Sequence, residues 1–301
     1  MAALALCALA AAGCALGPGG ETGEVELTVT RDYGREQLAT GTQEAAESDT
    51  VLRLLDREAE IETRYGGGFV QSIDGLSGGG EDGRRFDWFF YVNGIESPVG
   101  SADYTPTGGD RIWWDYRDWS SAMRAPAVVG SFPQPFAGGF EGERWDAEVV
   151  CLVLSPTCEL VRDRLAAEGI EAEVVDGLAA ADDDAIRVLV GTWRALRSDR
   201  AAGLLSAGPD RSGVFARFTG SGLELIDERG TVVRTAPDAG LVAAVRPDDG
   251  PPSWLVTGTD PGSVATLAAP LLAAQHLRDR YAIAVTSESG LVGLPYDEEG
   301  E

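Results

Sequence analysis

The 301-residue sequence predicts an α+β protein built from two folded units, the second of which is an α/β layered domain. A length of this order is typical of about two domains. Aromatic and β-branched runs between glycine-rich turns dominate the first half, whereas apolar strands alternate with helical stretches in the second. Hydrophobic residues make up 44% of the chain, which is enough for a core in each unit.

The first residues follow the pattern of a bacterial lipoprotein signal peptide. Residues 4–13 are apolar or small, and the small residues Ala10-Ala11-Ala12-Gly13 stand directly before Cys14. Small residues before a cysteine suit lipoprotein signal peptidase, and the stretch is too short for the ~20 residues of a membrane span. We therefore predict a signal peptide at 1–14, lipidation of Cys14 and a flexible tether at 15–23. The basic start of such peptides is missing, which leaves a disordered apolar tail as the alternative.

The first folded unit, 24–119, is predicted to pack one helix on a small mixed sheet, in a β-grasp-like arrangement. Residues 24–30 alternate polar and apolar, which indicates a half-buried strand. Ser48-Asp49 can cap a helix that carries Val51, Leu54 and Leu55 on one face. Further strands are indicated by aromatic and β-branched runs at 61–65, 69–73, 87–92 and 111–116.

Three tryptophans of this unit are candidates for its core. Successive side chains of a strand point to opposite faces, so Trp113 and Trp114 cannot share one. We expect Trp88 and one of the adjacent pair to be buried.

Four blocks of this unit carry a family resemblance. They are Glu62-Thr63-Arg64-Tyr65-Gly66-Gly67-Gly68-Phe69-Val70-Gln71-Ser72-Ile73-Asp74-Gly75, Phe86-Asp87-Trp88-Phe89-Phe90-Tyr91-Val92-Asn93-Gly94, Gly100-Ser101-Ala102-Asp103-Tyr104 and Gly109-Asp110-Arg111-Ile112-Trp113-Trp114-Asp115-Tyr116. In this order they resemble the C-terminal β-domain of intrinsic factor and transcobalamin, and the bacterial transcobalamin-like domains of exported proteins. The similar region is about a third of the chain.

The resemblance implies a ligand site, because in the animal carriers this domain covers one face of cobalamin. A corrin is a flat apolar disc fringed with amides, which apolar contacts and backbone hydrogen bonds can hold. The carriers cover the other face with a helical barrel that residues 1–23 do not provide, so we expect weaker binding. Plain turns and core packing are the alternative reading of these segments. The residues that the resemblance places at the ligand are Gly68, Phe69, Val70, Gln71, Ser72, Asn93, Gly94 and Ile95.

A Pro- and Gly-rich linker, 120–145, is predicted to lead into the α/β domain, 146–294, which an acidic tail follows at 295–301. The aromatic residues of the linker suit packing on a domain. Helices are expected from Pro156 to Gly169, from Arg194 to Leu205 and from Pro261 to Leu277. Strands are expected at 149–154, 172–175, 186–190, 214–218, 223–226, 232–234, 241–246, 254–256 and 281–285.

Cys151 and Cys158 are the two cysteines outside the signal peptide. An exported protein favours their pairing. Their expected places, within a strand and at a helix start, can lie too far apart for a bridge. The sequence leaves a disulfide open. It predicts no metal site, because two cysteines and one histidine are a poor ligand set.

The net charge and the absence of known catalytic motifs limit the possible functions. A net charge of −25 excludes the basic footprint of a nucleic-acid-binding protein. Every basic residue is an arginine, so lysine chemistry is absent, and no nucleophile elbow, zinc-protease motif or dinucleotide loop is found. His276, the one histidine, has no evident partners for catalysis or cobalt ligation. We expect a protein that is not an enzyme and has no certain cofactor.

Two functions remain. The first is an extracytoplasmic lipoprotein of a bacterial cell surface, anchored to the membrane by its lipid. It would capture a small ligand, such as cobalamin or a related corrinoid, and pass it to a membrane uptake transporter. The second is a non-enzymatic surface module for protein interaction or scaffolding.

Overall fold

The computed structural model describes residues 21–65 and 68–297, and strands organise both halves of this part of the chain. Cys14 and the predicted signal peptide, 1–14, lie outside the described residues. The first strand begins at Glu21, so the end of the predicted tether, 15–23, belongs to a strand. Within the described residues, no helix is long and apolar enough to cross a bilayer.

The N-terminal half has one helix, α1 (Val51–Glu58), within the described ranges. Its strands are β1 (Glu21–Arg31), β2 (Glu36–Ala46), β3 (Ile61–Arg64), β4 (Phe69–Ile73), β5 (Leu76–Ser77), β6 (Gly79–Glu81), β7 (Arg84–Val92), β8 (Ile95–Glu96) and β9 (Arg111–Asp118).

A mixed sheet forms the centre of this half, with β1 and β9 parallel side by side in the order β2-β1-β9-β7-β6. β8 pairs with β7, and the other neighbours in this sheet are antiparallel. β3, β4 and β5 form a separate antiparallel sheet. The predicted α+β class is confirmed, and the finer β-grasp assignment stays a prediction.

The N-cap of α1 lies one residue after the predicted cap, Ser48-Asp49. Thr50 is the N-cap, and its hydroxyl accepts a hydrogen bond from the backbone N–H of Arg53 at 3.3 Å. Asp49 instead accepts from the backbone N–H of Ala46 at 2.9 Å and pairs with Arg57. The predicted face of Val51, Leu54 and Leu55 is fully buried against the central sheet.

The central sheet is buried on both faces, as the two adjacent tryptophans of β9 show. Trp114 packs in one cluster with Leu54 and Leu55 of α1. Trp113 faces the opposite way, into a cluster that includes Tyr281 of the C-terminal half, with ring centroids 5.4 Å apart. We expected one tryptophan of this pair to be buried. Both are buried, because the C-terminal half covers the second face of the sheet.

The C-terminal half contains α2 (Ser155–Ala167), α3 (Trp193–Leu196), α4 (Arg200–Ser206), α5 (Pro209–Ser212), α6 (Pro261–Ser263) and α7 (Ala274–Leu277). Its strands are β10 (Ala147–Leu152), β11 (Ala172–Asp176), β12 (Ile186–Thr192), β13 (Ala216–Thr219), β14 (Gly222–Ile226), β15 (Val232–Ala236), β16 (Ala239–Val245), β17 (Ser253–Gly258), β18 (Ala282–Thr286) and β19 (Gly290–Leu294).

Seven of these strands form a second mixed sheet in the order β11-β10-β12-β17-β16-β18-β19. The first four are parallel, and β16, β18 and β19 join antiparallel. β13, β14 and β15 form the predicted meander as a small antiparallel sheet. Alternating strands and helices produce the layered arrangement that the sequence indicated.

Two predicted helices are interrupted. The stretch from Pro261 to Leu277 consists of α6, a π-helical turn at Val264–Ala268, a 3-10 turn at Ala269–Leu271 and α7. Pro270 lies in this stretch, and proline has no N–H and clashes with the preceding turn. The helix predicted through Arg194 to Leu205 divides into α3 and α4, because Asp199 caps a new start by accepting from the N–H of Ala201 at 2.8 Å.

The predicted linker, 120–145, packs between the two halves. Ala127 forms a β-bridge with Ile95 of the N-terminal sheet. The N–H of Val129 donates to the carbonyl of Tyr281 at 3.1 Å in the C-terminal half. Residues buried along it include Ala122, Ala125, Ala127, Val128, Val129, Phe132 and Phe140.

Cys151 and Cys158 form a disulfide bond, with Cα atoms 5.8 Å apart. Cys151 lies near the end of β10 and Cys158 in the first turn of α2. The sequence left this bond open on grounds of distance. The short connection between the strand and the helix brings the two Cα atoms within the usual range of a disulfide.

Candidate functional site

The predicted ligand-binding residues on β4 divide between two environments. Phe69 and Gln71 are half-buried, whereas Val70 and Ser72 are buried. This alternation is that of a strand with one face on the core. Gly68, which precedes the strand, is exposed. Phe69 and Gln71 are therefore the strand residues that can meet a ligand.

The second predicted segment, Asn93 to Ile95, is covered by the chain itself. The side-chain amide of Asn93 donates to Asp110 at 2.7 Å and to the carbonyl of Gly139 at 2.8 Å. The carbonyl of Gly94 accepts from the N–H of Val128 at 2.8 Å. Residues from the predicted linker thus occupy this turn, and a ligand could reach it only if they moved away.

A surface groove of about 440 Å³ lies beside Phe69 and Gln71. The hairpin of β3 and β4 forms one wall, and the start of β7 together with Trp119 forms the other. Tyr65, at the end of that hairpin, is 88% exposed. The residues that line the groove are Arg64, Tyr65, Phe69, Gln71, Gly78, Gly79, Gly80, Arg85, Asp87 and Trp119.

Arg85, Asp87 and Trp119 form a linked wall of the groove. The guanidinium of Arg85 lies over the Trp119 ring, 3.8 Å from its centroid. The indole N–H of Trp119 donates to Asp87 Oδ2 at 3.0 Å. Burial raises the pKa of Asp87, and the hydrogen bond from Trp119 opposes the rise. This wall offers a flat cation and an aromatic ring at fixed positions.

Glycines make the floor of the groove. The side chain of Gln71 donates to the carbonyl of Gly78 at 3.0 Å. A Cβ atom on Gly78 would fall 2.1 Å from Asp87 Oδ1, so this position accepts no side chain without a shift of that carboxylate. The glycine lets the backbone approach Asp87 closely.

Of the ten residues that line this groove, only Phe69 and Gln71 were predicted to meet a ligand. Tyr65 was assigned to a strand, Arg85 was not considered, and Trp119 lay at the predicted end of the domain. The useful signal was the glycine run at 78–80, because glycines permit close backbone approach. From the sequence, we interpreted the glycine-rich runs of this half only as turns between strands.

A second feature, buried between the two halves, is centred on the carboxylate of Asp115. It accepts hydrogen bonds from the hydroxyls of Thr30 (2.6 Å) and Tyr281 (3.0 Å) and from the backbone N–H groups of Tyr33 and Gly34 (3.1 Å each). Burial raises the pKa of Asp115 to about 6, and these hydrogen bonds oppose the rise.

Arg117, two residues further along β9, is fully buried beside this cluster. Its guanidinium lies 3.8 Å from the ring centroid of Phe89 and donates to the carbonyls of Ala122 (2.8 Å) and Met123 (3.0 Å). Nearby ionisable groups, Tyr91 first among them, raise the pKa of Arg117 against the effect of burial. The arginine thereby holds the start of the predicted linker on the sheet.

The other sequence candidates lie elsewhere. His276 is half-buried in α7, with the side-chain nitrogen of Gln275 3.1 Å from its Nε2. Asp260 is the N-cap of α6 and accepts from the backbone N–H groups of Gly262 (2.7 Å) and Ser263 (3.1 Å), so those donors are already occupied. No group of three or more potential metal ligands occurs in the part of the chain that the structure describes.

Comparison with known proteins finds a match to a family model within the N-terminal half. Residues 48–118 match a domain of unknown function, DUF4430, over the stretch from α1 to β9. The crystal structure described as "a putative metal binding protein" from Ruminococcus gnavus ATCC 29149 is similar at 15% identity. The similarity covers 32% of this chain and 97% of that chain, with a TM-score of 0.25. No curated protein matches the chain in sequence.

The matched segment contains most of the groove. Tyr65, Phe69, Arg85 and Asp87 lie inside it, and Trp119 follows its last residue. The C-terminal half lies outside the match.

Proposed function

We propose that this chain is a non-enzymatic binding protein of a bacterial cell surface, with its ligand site in the groove beside Phe69. The single observation that carries the proposal is the exposed ring of Tyr65 on the same groove as Phe69 and the stacked pair of Arg85 and Trp119. Large exposed aromatic rings in a concave site favour the contact of a flat ligand.

Binding is favoured over catalysis by the state of the charged groups. Arg85 stacks on Trp119, and Asp87 accepts the indole N–H of the same residue. Both groups are held by a common partner, and neither is paired with a nucleophile or a base among the described residues in the way that acid–base catalysis requires.

A corrinoid is the specific ligand that we propose. Supporting it are the four blocks similar to transcobalamin and the chemistry of the groove, which combines aromatic faces with the amide of Gln71. The corrin contacts that we propose differ from those that the resemblance implies. Phe69, Tyr65 and Gln71 take this role, because Ile95 is fully buried where its backbone bridges to Ala127.

The proposed location is the outer face of the cell membrane, with Cys14 as the lipid-bearing residue. A membrane uptake transporter is the proposed recipient of the ligand. The pattern of small residues before Cys14 supports this part of the proposal.

Titration calorimetry and absorbance spectroscopy of the full chain with cyanocobalamin and dicyanocobinamide test the ligand. We expect binding in the micromolar range, about 8 kcal/mol, because one open groove covers only one face of the ring. Tyr65→Ala and Phe69→Asp should each weaken it at least tenfold. Leu38→Ala, at an exposed apolar residue of β2, is the matched control. Absence of heat and of a spectral shift at high micromolar ligand would reject the corrinoid.

The openness of the groove supports a protein partner as a second candidate. Tyr65 is nearly fully exposed and stands at the end of a hairpin, where a flat protein surface can reach it. A photo-crosslinking amino acid at position 65 in intact cells, compared with position 38, tests this. A specific adduct at 65 and not at 38, together with no corrinoid binding, would favour the interaction module.

A further inference from the structure

A second cleft, of about 550 Å³, opens where the two halves of the chain meet. One side is the turn at 33–35 between β1 and β2. The other side is formed by 278–280, before β18, and by 291–297, which includes most of β19. The cleft is separate from the groove at Phe69, since the two share no lining residue.

Three arginines line this cleft, and two of them are already engaged. Arg35 donates to the carbonyl of Pro295 at 2.8 Å and lies 3.7 Å from Glu228. Arg278 pairs with Glu26. These two residues contribute positive charge that neighbouring carboxylates largely balance.

Arg280 is different, because its guanidinium has no hydrogen-bond or ion-pair partner among residues 21–65 and 68–297. It is half-buried. The adjacent carboxylate, Asp279, accepts from Arg111 at 2.7 Å and so does not serve it. The chain has 49 carboxylate residues for 24 arginines, yet no carboxylate among the described residues pairs with this guanidinium, which lines the cleft.

The backbone that presents Arg280 is tightly held. A Cβ atom on Gly130 would lie 2.7 Å from the backbone nitrogen of Arg280, and one on Gly34 would lie 1.9 Å from the carbonyl oxygen of Asp279. The N–H of Asp279 donates to the carbonyl of Gly130 at 3.1 Å. Arg280 Nη1 lies 3.4 Å from the Cβ position of Gly293, so the guanidinium rests on β19.

We propose that this cleft is a binding site for a small oxyanion, with Arg280 as its main binding residue and Arg35 and Arg278 at its rim. A guanidinium that is partly removed from water gains most from a partner that accepts two of its N–H groups. A carboxylate or a phosphate group has this geometry. The site goes beyond the proposed function, because its location and its ligand chemistry both differ from those of the groove.

The test is thermal unfolding and titration calorimetry of the full chain with sodium phosphate and with sodium acetate, against sodium chloride at equal ionic strength. We expect at least one of the two anions to bind and to raise the melting temperature, and the arm that responds distinguishes a phosphate site from a carboxylate site. Arg280→Gln should weaken that binding at least tenfold. Arg280→Lys, which keeps the charge but loses the planar pair of donors, should weaken it less.

The matched control is Arg164→Gln. Arg164 is also half-buried and has no ion-pair partner among the described residues, and it lies in α2. The Arg164→Gln variant should bind the anion as tightly as the unchanged chain does. The proposal fails if neither anion exceeds chloride, or if Arg164→Gln loses binding as much as Arg280→Gln. Should Arg280→Gln not fold, the side-chain Nε–Hε resonance of Arg280 in the unchanged chain decides, because it must shift on addition of the anion.

Discussion

The phenol of Tyr281 donates a 3.0 Å hydrogen bond to the carboxylate of Asp115, which lies 166 residues earlier in the chain. The same hydroxyl lies 3.0 Å from that of Tyr91. A buried polar network therefore connects the N-terminal sheet to Tyr281, the residue directly before β18 of the C-terminal half. Groups of this kind contribute to stability as a unit, because each loss leaves a buried partner unsatisfied.

Tyr281→Phe should destabilise the whole chain by about 1–3 kcal/mol, since it removes a donor to a buried carboxylate. We expect unfolding to remain a single transition that shifts as a whole, measured in urea by tryptophan fluorescence and circular dichroism. Tyr65→Phe is the control, because that ring is exposed and its loss of a hydroxyl should change nothing. Two separate transitions, with only one of them shifted, would show that the halves are not coupled through this contact.

The pKa of Asp115, raised to about 6 in the folded state, predicts a specific pH dependence. The folded chain holds this proton more tightly than the unfolded chain, so the contribution of the group to stability is present at low pH and is lost as pH rises through about 6. From pH 5 to 7.5 the loss is about 1.4 kcal/mol, for an unfolded pKa of about 3.9. This range stays above the isoelectric point of about 4.3.

Asp115→Asn provides the comparison. It removes the titration, and it should also destabilise the fold at every pH. The backbone N–H groups of Gly34 and Tyr33 bond to different carboxylate oxygens, and an amide can accept from only one of them. In urea unfolding, the stability gap between the unchanged chain and the variant should narrow as pH rises from 5 to 7.5. A gap that is constant or widens would contradict the raised pKa.

Glu96 is predicted to protect the start of the predicted linker from proteolysis. Its carboxylate accepts from Arg124 Nε at 2.9 Å and from the backbone N–H of Ala125 at 2.7 Å. Glu96→Gln weakens both bonds, so trypsin should cleave after Arg124 several-fold faster, as measured by mass spectrometry over time. Glu143→Gln, at an exposed residue of the same segment, should leave the rate unchanged. Equal rates in the two variants would mean that Glu96 does not hold this segment.

The disulfide between Cys151 and Cys158 should contribute about 2 kcal/mol to stability, the loop-closure value for a separation of seven residues. The double variant Cys151→Ala and Cys158→Ala should lose this amount in urea unfolding. Reductant should destabilise the unchanged chain and leave the double variant unaffected. If reductant destabilised the unchanged chain and the double variant equally, its effect would have to come from a site other than this disulfide.

Lipidation of Cys14 is tested in cells. The chain should incorporate labelled fatty acid and partition into detergent, and Cys14→Ala should abolish both, because the thiol is the attachment point. Cys7→Ala is the control within the same segment, and it should retain the label. Label that persists in Cys14→Ala would reject the anchor.

The sequence predicted the strands best where one strong local pattern decided them. The aromatic run from Asp87 to Val92 and the run from Arg111 to Tyr116 both lie in strands, as expected. β2 was missed, because its residues are mostly polar or small and show no clear alternation of apolar residues. Local pattern carries little information about such an edge strand, which its neighbour in the sheet determines.

The packing of the two halves against each other could not be predicted from the sequence, for a different reason. Thr28 and Thr30 of β1 were expected on a solvent face, and both are fully buried. In the sheet they lie beside Trp113 and Asp115, the residues that Tyr281 of the C-terminal half contacts, and no periodicity within β1 encodes that covering. For the same reason Asn93 to Ile95 looked accessible as a turn, while residues that follow it in the chain cover it.

The packed segment at 120–145 constrains how any ligand is captured. Many two-lobed binding proteins close around a ligand by rotation about a flexible connection. Here the connection is bonded to both lobes, through Ala127 to Ile95 and through Val129 to Tyr281, so a rotation would break those bonds before any new contact formed. Association should therefore follow a single step onto a preformed surface. Its observed rate constant should rise linearly with ligand concentration, without the plateau that a slow closing step imposes.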